Sequence, residues 1–249
     1  MHVDHPIHRD YAFYHLGRLS DFLGTGDLAA YAHELAATQQ PMRDLEVAVK
    51  DVESFRRKSW DCVFDLGLYR VVLYALTREL RPAAFVETGV LHGITSNFIL
   101  SALGINGSGM LVSVDYPSYF ETGPSNADGY DDTLPPGKQP GWVIPPNNRP
   151  RWRLVLGRSV DVLPELFAEI PRVDLFVHDS EHTYATMWNE FSLAWNKLEP
   201  GGVLIADNVD TNAAFFDFCR SVQRAPLLFP EATNTTTARN SLRFGLIPR

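Results

Sequence analysis

The chain changes its hydrophobic rhythm near residue 82. From Cys62 to Leu80 the apolar residues Phe64, Leu68, Val71, Val72, Ala75 and Leu76 recur at three- to four-residue spacing, the period of one helix face. Asp61 stands where it could cap that helix and Pro82 where it ends it. Upstream, residues 9 to 58 read as helical, polar and irregular, with Gly24, Gly26 and Pro41 as punctuation. Downstream, short apolar runs alternate with helical stretches. "AAFVETG" (83–89), "MLVSVD" (110–115), "RWRLVLG" (151–157), "VDLFVHD" (173–179) and "GVLIADN" (202–208) predict strands. Four of these are near-continuously apolar, as strands covered on both faces are. "TSNFILSAL" and "ATMWNEFSLAWNKL" predict helices between them. The alternation predicts an open, mostly parallel α/β sheet. In the tail, "APLLFP" and "SLRFGLIP" add two antiparallel edge strands, for seven in all.

One segment breaks this rhythm. Residues 116–150 are rich in Pro, Gly, Asn and Tyr and too long for an ordinary connection. Tyr116, Tyr119, Phe120 and Trp142 favour a lid over the site, the alternative being a mobile surface excursion.

Composition narrows the function. The 249 residues are 45% hydrophobic and carry a formal net charge of −8, which argues against a nucleic-acid partner and for a small molecule. Cys62 and Cys219 lie far apart without a partner motif, so neither a disulfide framework nor a cysteine zinc site is expected. The first residues lack the pattern of a signal peptide and no apolar run reaches membrane-spanning length. A soluble cytoplasmic protein is the expectation, with no membrane partner and homo-oligomerisation left open. His2, His5 and His8 read as a solvated chain end.

In open α/β sheets ligands bind beyond the carboxyl ends of the strands. Gly89 and Gly93 follow the first strand, where glycine lets the backbone approach a ligand and the next helix N-terminus favours an anion. Their spacing does not meet the dinucleotide pattern G-x-G-x-x-G. Asp115 ends the second strand, placed either to accept from both hydroxyls of a ribose or to cap a turn. Asp179 ends the fourth strand, Asp207 and Asn208 the fifth. If those strands are neighbours, two carboxylates and an amide oxygen converge, a hard-oxygen set suited to Mg²⁺. The alternative is that each aspartate caps the next element.

His178, Glu181 and His182 also satisfy H-x-x-E-H, a zinc-hydrolase motif. That chemistry needs both histidines on one helix face. Here His178 belongs to the strand end, so the motif lies in the wrong context.

These residues resemble the class I S-adenosylmethionine-dependent methyltransferases, specifically the metal-dependent small-molecule O-methyltransferases. "FVETGVLHGITS" looks like their first cofactor motif, "LVSVD" like their ribose-binding strand end, and "LVLGRSVDVLPEL" like the segment that approaches the adenine. "VDLFVHDSEHTY" with "LEPGGVLIADNV" is similar to the segments that hold magnesium in catechol-type enzymes. The resemblance covers about residues 83–210. It implies a Rossmann-like methyltransferase sheet over residues 83–249, with residues 1–82 a helical N-terminal extension. It implies S-adenosylmethionine held by Glu87, Gly89, Gly93, Asp115 and Ser159, and Mg²⁺ or another divalent cation held by Asp179, Asp207 and Asn208. Catechol-type enzymes carry a lysine three residues after the first metal aspartate, where this chain has His182. The resulting Asp-x-x-His is similar to antibiotic sugar O-methyltransferases, in which the histidine is the general base.

The chemistry agrees with the implication. A free hydroxyl attacks a sulfonium methyl slowly, and a divalent cation lowers its pKa and orients it. An imidazole, titrating near ~6.5 in water, suits removal of the proton at neutral pH. The expected acceptor is a hydroxyl of a sugar or phenolic natural product. A zinc hydrolase and a non-catalytic binding protein of the same fold are the competing classes.

Overall fold

A computed structural model describes residues 6–55, 60, 62–119, 133–230 and 243–249. The expectations on His2, His5, Asp61 and Phe120, and on the side chain of His8, lie outside the described residues. The N-terminal third folds as α1 (Pro6–Leu23), α2 (Ala29–Thr38), α3 (Gln40–Val49) and α4 (Leu68–Leu80). The predicted helix from Cys62 divides: Val63–Leu66 form a 3-10 turn and Gly67, at φ 101°, separates it from α4. No L side chain is at ease at that angle, so the apolar periodicity runs across a break.

The rest alternates β1 (Ala84–Thr88), α5 (Ile94–Asn106), β2 (Met110–Asp115), β3 (Trp152–Leu156), α6 (Ser159–Glu169), β4 (Val173–His178), α7 (Tyr184–Lys197), β5 (Leu198–Ala206), α8 (Ala214–Ser221), β6 (Leu227–Pro230) and β7 (Arg243–Pro248). All seven expected strands form. The β5 strand starts at Leu198, before Pro200-Gly201-Gly202, because Leu198 pairs with Val173 ahead of a register shift.

The sheet order is β3-β2-β1-β4-β5-β7-β6. The first five strands pair in parallel, and β7 runs antiparallel to both β5 and β6. One face, with Phe85, Leu111, Leu175, Val177, Val203 and Ile205, packs against α4, α5 and the N-terminal helices. The other, with Val86, Val112, Phe176 and Leu204, packs against α6, α7 and α8. Cover on both faces is what the unbroken apolar strands required. The β3 strand, half-buried to exposed along its whole length, lies at the edge.

Strand order reverses direction between β1 and β4, so the crevice of the sheet opens at their carboxyl ends. Part of the long connection between β2 and β3 is packed onto the molecule there. Leu134, Val143 and Ile144 are buried, and the Trp142 indole donates to His92 Nδ1 at 3.0 Å.

Candidate functional site

A cavity of about 330 Å³ occupies that crevice. One half is lined by Gly89–His92, Asp115, Tyr116 and Gly157–Val160, the other by Arg70, Asp179–His182, Asp207 and Asn208. Sequence reasoning named residues in both halves; the tertiary structure joins them in one space.

The turn after β1 is built by close backbone approach. Gly89, at φ 85°, leaves no room for a Cβ, which would lie 1.8 Å from the Asp179 carbonyl oxygen. The next turn residues are pinned by Asp115, whose Oδ2 accepts from the Val90 and Leu91 amides at 2.7 and 2.8 Å. Burial raises the Asp115 pKa, opposed by those two bonds. Asp115 therefore holds the turn before it in space, after β1, and its Oδ1 remains for a ligand. Ser159, buried at the first turn of α6, also lines this half.

Two residues expected to hold a cofactor sit beneath the cavity. Gly93 caps α5 at φ 86°, and a Cβ there would come within 2.6 Å of Gly141, so it admits the β2–β3 connection. Glu87 is fully buried, and its Oε2 accepts from Ser96 and Ser113, both at 2.7 Å. It orders the turn from below, while its other oxygen is buried without a hydrogen-bond partner. Burial pushes its pKa up to about 7.

At the opposite wall β4 and β5 are parallel neighbours, and the ladder continues past them: the Asp179 amide donates to Thr88 and the Asp207 amide to His178. Both aspartates are half-buried and their side chains hydrogen-bond each other. Burial, then repulsion by Asp207, pushes Asp179 well above the carboxylate range; burial also raises Asp207. The Arg70 charge pulls both down. Asn208, at φ 50°, turns the chain so that its Nδ2 lies 3.3 Å from His182 Nε2. With the amide donating, Nε2 carries a lone pair. Two carboxylates and an amide oxygen fit a hard divalent cation that completes its shell with water or substrate.

The histidine pair does not fit zinc hydrolysis. His178 ends β4 and His182 lies in the turn before α7, not on a shared helix. Their rings meet edge to face at 5.2 Å, and His178 Nδ1 is 2.7 Å from Glu190 Oε2. Among the described residues no three His, Cys, Asp or Glu side chains form a metal-ligand group. Glu181 precedes the helix: Thr183 is the N-cap, and its hydroxyl donates to Glu181.

Glu190, on α7, was not anticipated. It is fully buried and receives Thr88 Oγ1 and Ser180 Oγ, each at 2.6 Å, besides His178 and Ser159. One carboxylate thus ties the end of β1, the turn carrying Asp179 and the start of α6. Burial pushes its pKa up, and the pull of His178, Ser159 and Ser180 outweighs that, leaving it below the usual range. A signal was present: Glu190 stands in the apolar stripe of Met187, Phe191 and Ala194, where a solvated glutamate has no place.

The two buried glutamates should give opposite pH signatures in unfolding. Glu87, with its folded pKa raised, contributes stability that is present below its unfolded pKa of about 4.3 and lost as pH rises through about 7. Glu190, with its folded pKa lowered, contributes above the unfolded value and loses that contribution as pH falls through the folded one. In urea titrations, Glu87→Gln is expected to flatten the decline between about pH 5 and 8. Glu190→Gln is expected to cost about 3 kcal/mol at neutral pH, less in acid. Identical pH profiles for both variants and the parent would refute the assignment.

Residues 86–209 match the model of a methyltransferase domain. No curated protein sequence matches the chain significantly. Among solved structures, cofactor-bound Rv0187 from MTB is 17% identical, with TM-score 0.55 over 84% of this chain and 89% of that one. The O-methyltransferase TomG from Streptomyces achromogenes, involved in tomaymycin synthesis and solved with SAM, is 17% identical, with TM-score 0.53 over 84% and 88%. The O-methyltransferase from Bacillus cereus, solved with SAH, is 15% identical, with TM-score 0.51 over 97% and 100%. At such identities the likeness speaks to the fold, a Rossmann-like methyltransferase sheet. Through residues 86–209 the chain belongs to the methyltransferase-domain family.

Proposed function

We propose that the protein is an S-adenosylmethionine-dependent O-methyltransferase acting on a hydroxyl of a small molecule, a sugar or a phenol, with Mg²⁺ or another divalent cation in the site. The observation that carries this reading is the single cavity at the β1/β4 crevice, with the Asp115-pinned turn on one side and Asp179, Asp207, Asn208 and His182 on the other. The solved relatives carry SAM or SAH on the same fold.

Each residue then has a task. Asp115 Oδ1 accepts from the ribose hydroxyls while Oδ2 keeps the turn in place. Gly89 and the following amides let the cofactor lie against the backbone, and Ser159 borders its adenine end. Asp179, Asp207 and Asn208 Oδ1 would hold the cation, which when bound lowers the pKa of an acceptor hydroxyl. His182 Nε2 takes the hydroxyl proton, exchanging the Asn208 amide for the acceptor. Glu87 and Gly93 support the turn from beneath.

Calorimetry with S-adenosylmethionine and S-adenosylhomocysteine, with and without Mg²⁺, tests the reading. Both are expected to bind, with transfer to catechol or sugar hydroxyls only when the cation is present. His182→Ala is expected to lower kcat about 100-fold and to remove the acidic limb of the pH profile while leaving cofactor binding intact. A protein that binds zinc tightly and neither cofactor form would overturn it.

A further inference from the structure

Arg70, the third residue of α4, lines the cavity on the side of Asp179 and Asp207. Its one side-chain hydrogen bond among the described residues runs from Nη1 to the Leu66 carbonyl. Its Nε is buried without a hydrogen-bond partner, and no bond engages Nη2. These two nitrogens form the outer edge of the guanidinium, whose parallel N–H groups match the two oxygens of a carboxylate. Two turns along the same helix Arg78 uses that edge: its Nε and Nη2 donate to the two oxygens of Glu34 at 2.7 and 2.9 Å. Arg70 has the same fork, at the same end of the side chain, facing no such partner. A buried donor left unpaired costs about 1–3 kcal/mol, a penalty a ligand can relieve.

Charge points the same way. Asp179 and Asp207 feel the Arg70 charge, yet neither forms an ion pair with it. If a divalent cation offsets the two aspartates, as proposed above, the carboxylate left in this half of the cavity is Glu181, whose Oε1 accepts from Thr183 and Thr186 and not from Arg70. The other cationic residue lining the cavity, Arg158, is exposed and lies at the opposite end, beside Ser159.

We infer that Arg70 is a specificity residue that selects acceptors carrying a carboxylate beside the hydroxyl to be methylated: a hydroxylated aromatic acid or a uronic acid rather than a neutral phenol or sugar. This rests on the methyltransferase reading above and names its substrate class. Arg70 binds the carboxylate through Nε and Nη2, and so fixes the acceptor with its hydroxyl toward Asp179, Asp207 and His182.

The test uses the full chain loaded with S-adenosylhomocysteine and Mg²⁺ and titrated with two matched pairs, 3,4-dihydroxybenzoate against catechol and glucuronate against glucose. In at least one pair the acid is expected to bind roughly 10- to 100-fold more tightly than its neutral partner. Arg70→Gln is expected to erase that preference and Arg70→Lys to keep part of it, since an ammonium supplies charge without the fork. S-adenosylhomocysteine binding by each variant verifies that its cofactor half is folded. Methyl transfer to all four probes is followed in parallel. Equal binding of acid and neutral partners, no binding of either acid, or a preference that survives Arg70→Gln overturns the inference. Cofactor binding with transfer to neutral acceptors would then leave the methyltransferase reading standing. Failure to bind the cofactor at all would bring down both.

Discussion

Asp179→Asn is expected to make the metal-free protein more stable and the enzyme almost inactive. In the absence of a cation, burial and the neighbouring Asp207 hold the Asp179 pKa well above its ordinary value. A group raised in this way contributes stability that is present below its unfolded pKa, about 3.9, and lost as pH rises. At neutral pH the native state therefore carries the free-energy cost of that raised pKa, which asparagine, with no charge to bury beside Asp207, removes. A gain of about 1–2 kcal/mol, or roughly 2–8 °C in Tm, is expected at pH 7, shrinking toward pH 4. Mg²⁺ should raise the Tm of the parent protein and not that of the variant. Methyl transfer should fall by roughly 10³-fold, the several kcal/mol that a divalent cation contributes to such a reaction. Differential scanning calorimetry across pH, with and without Mg²⁺, together with transfer from labelled S-adenosylmethionine, measures all of this. A variant less stable than the parent without metal would mean that Asp179 is a structural cap.

Gly89→Ala should damage fold and site together. The new methyl would lie 1.8 Å from the Asp179 carbonyl oxygen and 2.4 Å from its carbon, and backbone held in a parallel ladder cannot turn aside like the tip of a side chain. The position also sits at φ 85°, where an L residue pays about 1–2 kcal/mol. Overpacking adds about 1–3 kcal/mol or more. A total loss of about 3–5 kcal/mol is expected in urea denaturation. Protein that still folds should have lost cofactor affinity, because the displaced backbone belongs to both the turn after β1, proposed above to lie against the cofactor, and the strand end carrying Asp179. By contrast Gly104→Ala on α5, where a Cβ meets nothing within 4 Å, should be neutral or slightly stabilising. Equal effects of the two would refute the close-approach account.

The difference between these glycines could not be read from the chain, although the strands and their polar ends could. Strand period and apolar content follow from local sequence, so β1 to β5 and the residues at their ends were legible. The pinning of Val90 and Leu91 by Asp115 was not, because it joins two strand ends more than twenty residues apart. Glu87 stands beside the glycine turn, where its sequence position alone allows either a cofactor contact or a residue that orders the turn. Alternation in β1 sends its side chain under the turn, toward Ser96 and Ser113. Arg70 lies within an amphipathic helix, where a charge ordinarily reads as part of the solvated face, and only helix packing brings it to the cavity wall. Glu190 stands in an apolar stripe, which marks it as buried, but the groups it ties together come from distant segments.

The sequence by itself determined the alternation of strands and helices, the antiparallel tail and the acidic and glycine-rich residues beyond the strands, because hydrophobic periodicity and turn chemistry act over a few residues. Tertiary structure decided which strand ends are neighbours, which of those residues face the cavity and which support it from beneath, and that a helix far upstream contributes a cation. Those outcomes depend on sheet order and on the rotation of packed helices, which arise from contacts between segments distant in the chain.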